Sequence, residues 1–174
     1  MAEFLFISPQ EMTETTILGG NVDVDKYIFC IANVQLTVIE PLLGTLLYDK
    51  ISTDAESDDL TGLYETLYND FVKPIVKHKS LAEYIEISSY MITNGGLFKH
   101  TGDNLEVVDK QEALFLSNKS NSIAQAYILR FNKWICKNTI PEYKICQDEV
   151  NAKKDMKLTA GWKLDGYNCC DKPW

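Results

Sequence analysis

The stretch from Asp23 to Ile51, DVDKYIFCIANVQLTVIEPLLGTLLYDKI, constrains the fold more than any other part of the chain. Val24, Tyr27, Ile28, Ile31, Val34 and Val38 recur at steps of three and four, the spacing of one helix face. Phe29, Cys30, Leu36 and Ile39 widen that face, which predicts a helix buried on more than one side. The run then meets Glu40-Pro41-Leu42-Leu43-Gly44. Pro41 removes a backbone donor there and Gly44 permits a left-handed turn. A second apolar helix follows through Leu46, Leu47, Tyr48 and Ile51. The expectation is two helices joined by a tight apolar corner, a device of packing rather than of chemistry.

The flanking sequence extends this helical reading. Ser8-Pro9-Gln10-Glu11 has the form of a helix start, with serine as cap, proline at the first position and Glu11 placed for a capping box. That helix is short and ends by Gly19-Gly20. Asp23 and Asp25 sit where the dipole at the start of the next helix favours negative charge. A third helix carries Leu60, Leu63, Tyr64, Leu67, Tyr68, Phe71, Val72, Ile75 and Val76, with a kink or restart expected at Pro74. Leu81 to Ile92 continues as a helix apolar nearly all round, which marks it as central. After Asn94-Gly95-Gly96, residues 97–108 read as a strand, a turn at 101–104 and a second strand at 105–108. Asp109 opens a last helical region to about Asn138, which the polar run 117–122 should bend or break.

The resulting fold class is mainly α: a compact helical bundle over residues 1–150 with one small β-hairpin near 97–108, and an irregular C-terminal tail over 151–174. Two strands alone are marginal in water, so the hairpin must lie on the bundle or add to a neighbouring chain. The tail holds Trp162, Tyr167 and Trp174, aromatic residues of the kind that anchor interfaces. Phe98 and His100 in the hairpin and Trp162, Tyr167 and Trp174 in the tail are therefore the candidate partner-interface residues. Folding of the tail back over its own bundle is the competing reading.

Composition narrows the function. A chain of 174 residues, 45 % hydrophobic, fits one domain with an ample core. Its apolar runs fall short of the ~20 residues that span a bilayer, and its N-terminus lacks the basic start of a secretory signal. Residues 1–60 carry 11 acidic and 2 basic side chains, a net of −9, whereas residues 61–174 carry a net of +1. Arg130 is the single arginine among 17 basic residues. Proteins that read bases or clamp phosphates favour arginine, so direct nucleic-acid binding is not expected. The acidic third can still keep a protein from sticking to DNA nearby.

Nothing in the chain points to catalysis, a cofactor or a metal. Ser88-Ser89-Tyr90 falls on a helix. His78 between Lys77 and Lys79 suggests a solvated face, and His100 has no fixed carboxylate beside it. The acid pairs Asp58-Asp59 and Asp148-Glu149 read as surface or helix-start charge. GxGxxG, GxxxxGK[ST], HExxH and GxSxG are absent. The five cysteines make no CxxC pair; Cys30 and Cys136 lie on apolar helical patterns and should pack as small hydrophobes. Cys169-Cys170 could oxidise or bind a metal, but the histidines lack ligand spacing, and a reducing cytosol is the better reading.

The order of elements resembles that of phage head–tail connector proteins, particularly those of phages infecting Bacteroidetes, including the crAss-like group. The similarity rests on ISPQE at 7–11, GGNVDVDKY at 19–27, VIEPLLGTLLYDKI at 38–51, DFVKPIV at 70–76, MITNGGLF at 91–98 and IPEY at 140–143. It spans residues 7 to about 143, and PLLG-x-x-LY is its most specific element. The resemblance implies a structural virion protein at the head–tail junction, assembled in the host cytoplasm. It further implies a ring of about twelve copies that docks on the portal and other tail proteins and lets DNA through without binding it specifically. The acidic N-terminal third would then face the channel. The alternative is a helical adaptor or regulatory interaction module outside any virion.

Overall fold

A computed structural model describes residues 4–18, 22–88, 90–93, 96–99 and 110–143. The fold is mainly α. Helix α1 (Pro9–Thr15) opens with Ser8 as its cap, whose hydroxyl accepts from the Glu11 N–H at 3.1 Å. Glu11 turns its carboxylate to Lys73 at 3.2 Å, tying α1 to a later helix. A 3-10 turn at Val24–Lys26 precedes α2 (Ile28–Val34), so the helix itself begins after Asp23 and Asp25 rather than at them.

Two widened turns organise the core. A π turn over Gln35–Ile39 joins α2 to α3 (Glu40–Leu43), and the Glu40 N–H reaches back to the Gln35 carbonyl. A second π turn over Tyr68–Val72 joins α5 (Gly62–Leu67) to α6 (Lys73–Ser88), and the Lys73 N–H reaches back to the Tyr68 carbonyl. In each helix a proline stands one residue beyond that bond, at Pro41 and Pro74. A proline in a regular helix clashes with the carbonyl four residues earlier. Widening the preceding turn to an i→i+5 bond spares that clash. The interruption expected at Pro74 takes this form: the regular α pattern breaks at the π turn and resumes as α6 at Lys73.

Past their prolines the two helices diverge. After Pro41 the helix stops at Gly44, whose φ of 77° and ψ of 150° only glycine adopts readily. Helix α4 (Thr45–Glu56) then leaves at once. The apolar corner is present as expected, with Leu43 and Leu47 fully buried on either side of it. After Pro74, by contrast, α6 continues to Ser88.

Helix α7 (Lys110–Ile135) lies antiparallel on α6. The order of contacts shows the direction: Ser117 bonds Glu86, Ser120 bonds the His78 carbonyl, and the Phe131 and Trp134 rings lie against Phe71. The serine run at 117–122 does not break this helix. Ser117 and Ser120 are buried with Ala124 on the face toward α6, where small side chains let the helices approach and each hydroxyl finds an acceptor. Beyond α7, the Tyr64 hydroxyl donates to Glu142 at 2.6 Å and ties the 140–143 stretch to α5.

The expected hairpin over 97–108 is corrected. The pairing found is antiparallel between β1 (Tyr90–Thr93) and β2 (Gly96–Lys99), in register Tyr90 to Lys99 and Thr93 to Gly96. The helix expected to reach Ile92 therefore ends at Ser88. Asn94-Gly95 lies between the strands in sequence and is the pair that two-residue hairpins favour, a signal that outweighs the apolar run before it. Residues 100–109, with the expected turn and second strand, and the tail over 151–174 lie outside the described residues.

Candidate interaction surfaces

The most elaborate polar arrangement holds the chain's own N-terminal segment in the core. Phe6 and Ile7 are buried, and the Phe6 ring meets Tyr48 and Tyr68 edge-on at 5.2 and 5.8 Å. A non-helical segment inside a helical core has no ladder for its backbone groups, which must find other partners. The Phe6 N–H donates to Gln35 Oε1 at 2.8 Å, and Gln35 Nε2 donates to the Phe4 carbonyl at 3.0 Å. Tyr68 donates its hydroxyl to the Phe6 carbonyl at 2.8 Å, and Tyr27 donates to the Pro9 carbonyl at 3.0 Å. Gln35 and Tyr68 are the first residues of the two π turns, so both turns clamp one strap. Burial pushes the Tyr68 hydroxyl up to about 12, which keeps it protonated as a donor.

Sequence reasoning did not single out Gln35. The available signal was a polar residue on a buried face, four residues after Ile31 and four before Ile39. All three are fully buried. A buried amide needs partners, and here they come from a segment about thirty residues away in the chain.

The titratable groups serve packing. His78 is half-buried rather than solvated: it stacks on Tyr127 at 6.1 Å, and its Nδ1 is buried without a hydrogen-bond partner. Burial, with Lys77 beside it, holds its pKa below the usual histidine value. The Cys30 thiol is fully buried as expected and pushed up to about 12, so it stays a thiol and a poor nucleophile. Cys136 does not pack as a small hydrophobe; it is exposed at the end of α7 and disulfide-bonded. Ser88 donates to the Ile85 carbonyl, closing the last turn of α6. Among the described residues no group of three or more His, Cys, Asp or Glu could hold a metal ion. No described helix is long and apolar enough to cross a membrane.

Two of the clefts among the described residues are open. One of about 180 Å³ is lined by Ile7, Glu11, Asn69, Lys73, Pro74 and Lys77, and the Glu11–Lys73 pair bridges it. A shallower one of about 510 Å³ lies at the start of α7, beside Gln111, Glu112, Phe115 and Leu116.

Outward-facing apolar residues are the remaining feature. Phe29 on α2 and Leu36 in the π turn that follows it, both expected in the core, are 50 % and 45 % exposed on the side away from Ile31 and Val34. They stand seven residues apart and so share a face. On α7, Phe115, Lys119, Ser122, Ala126, Leu129 and Lys133 form the exposed stripe opposite Ser117, Ser120, Ala124 and Phe131. Phe115 is 67 % exposed. Of the expected partner-interface residues, Phe98 falls in β2, and His100, Trp162, Tyr167 and Trp174 lie outside the described residues.

A compact α bundle with no reactive cluster among its described residues defines a helical packing module, and its sequence places it in a family. The chain belongs to DUF6712, a family of unknown function whose model matches residues 39–152, from the end of the first π turn through the corner and α7. No curated protein matches the chain, and no solved structure does.

Proposed function

We propose that the protein is a structural adaptor of a phage virion, a head–tail connector that forms a ring between portal and tail and leaves a channel for DNA. The observation that carries this reading is the pair of exposed apolar faces on α2 and α7 of a bundle whose core is already filled. Large apolar residues grouped on an outer face favour association with other protein surfaces. The resemblance of the PLLG-x-x-LY corner to connector proteins names which assembly, and that corner falls within the DUF6712 match. In the ring, of about twelve copies if it follows the portal, the acidic N-terminal third, with exposed carboxylates such as Glu56, Asp58 and Asp59, faces the channel and repels the passing DNA.

A mass-spectrometric inventory of purified virions tests this reading. The chain should appear at a copy number near that of the portal and co-purify with portal after disruption of the capsid. Its absence from virions, with no retention on immobilised portal, would overturn the reading in favour of a helical adaptor outside the virion.

A further inference from the structure

We infer that copies of this chain join head to tail, the α7 flank of one against the α2 flank of the next. This rests on the ring reading above and names the surfaces that would make the ring. Both α2 and α7 pack on α6, and neither is a main neighbour of the other. The Ser80 hydroxyl donates to the Cys30 carbonyl and Asn33 donates to Glu83, holding α2 on one flank. Ser117 on Glu86 and Asn121 with Lys79 hold α7 on another. The outer faces of α2 and α7 thus belong to separate flanks of one subunit.

Charge decides how those flanks can pair. The α7 flank carries Phe115 and Leu129 beside Lys119 and Lys133, with the exposed Arg130 and one exposed carboxylate, Glu112, at its edge, and neither lysine makes an ion pair among the described residues. The α2 flank carries Phe29 and Leu36, preceded by the exposed Asp23, Asp25 and Lys26. Counted with those opposite charges, the α7 flank is net +2 (Lys119, Arg130 and Lys133 against Glu112) and the α2 flank net −1 (Asp23 and Asp25 against Lys26). Each flank turned on its own kind therefore meets a face of the same net sign, which disfavours a two-fold dimer through either one. The mixed pairing brings lysines to carboxylates and apolar faces together. Joining unlike faces is the heterologous contact that closes rings.

Sedimentation velocity on the full chain, at salt of about 0.05 M and about 0.5 M, tests the contact. Exposed charges are screened beyond about 10 Å at 0.1 M and more closely above it, so self-association should weaken as salt rises. Lys119→Glu with Lys133→Glu should raise the dissociation constant at least about tenfold, and so should Asp23→Lys with Asp25→Lys. All four reversals in one chain should restore association. Phe115→Ser, which leaves charge alone, should weaken association at both salt concentrations. Circular dichroism checks that each variant stays folded. A wild-type chain that remains monomeric at low salt, or a fourfold variant no tighter than either double, overturns the inference. A chain found in virions whose copies touch elsewhere sinks this contact but leaves the connector reading. Self-association through these flanks with no virion incorporation does the reverse.

Discussion

The helix through α2 and α3 and the helix through α5 and α6 use one device for different ends. Each carries a π turn, a proline six residues after the turn's first residue, and a bond from that first residue to Phe6. They part company beyond the proline. Gly44 ends the first three residues after Pro41, whereas the second runs fourteen residues past Pro74 and offers α7 a long face. A proline therefore does not set a helix end by itself. When the turn before it is widened, the residues after it decide whether the chain stops.

The two clamps differ in strength, and the largest expected effect comes from that difference. Gln35 is fully buried and satisfies two backbone groups; Tyr68 satisfies one. Gln35→Leu keeps the volume but leaves the buried Phe6 N–H without a partner and strips the Phe4 carbonyl of its donor. Each orphaned group costs about 1–3 kcal/mol, so the variant should lose about 2–4 kcal/mol in urea unfolding. A loss under about 1 kcal/mol would mean that water reaches the strap and that Gln35 does not clamp it.

Tyr68→Phe is the milder half of that comparison. The ring remains edge-on to Phe6 and only the hydroxyl donor goes, so a loss of about 1–2 kcal/mol is expected. The pair is informative because each variant removes one bond to Phe6, Gln35→Leu removing a further one to Phe4. If Tyr68→Phe costs more than Gln35→Leu, the second π turn is the main support of the strap and the ranking reverses.

How much of this was legible in the chain depended on the range of the interaction. The Ser8 cap and the Pro41–Gly44 corner involve neighbours in sequence and stand where expected, whereas Glu11, read as the other half of a capping box, turns its carboxylate to Lys73 instead. Gln35 was illegible as a clamp because its partners, Phe4 and Phe6, lie far upstream and carry no polar side chain that would announce the pairing. Ser117 and Ser120 read as a break because polar serines suit loops. Their burial against α6 depends on a helix more than thirty residues earlier. Phe29 and Leu36 fit the periodicity of a buried face, yet periodicity cannot tell how much of a helix its neighbours will cover. The strand at Tyr90–Thr93 shows the opposite case: the local Asn94-Gly95 signal was present but competed with a longer helical pattern.

The smallest expected effect tests the part of the second helix that the first lacks. His78 lies four residues past Pro74, in the extension of α6 that receives α7, stacked on Tyr127. Burial disfavours its charged form, and the adjoining Lys77 adds to that. With its pKa lowered in the folded state, the unfolded chain binds a proton first as pH falls. This site therefore adds no pH dependence well above the ordinary histidine value of about 6.5, and it loses stability as pH drops below it. The loss levels off once folded His78 is protonated too. His78→Asn should flatten the fall in stability between about pH 7.5 and 5.5, measured by urea midpoints at each pH. Because the ring is only half-buried, solvent moderates the effect, and it should stand below that of either clamp variant. An unchanged slope in His78→Asn would place the acid sensitivity in other groups, and the stacking of α7 on α6 would then be indifferent to the charge of this ring.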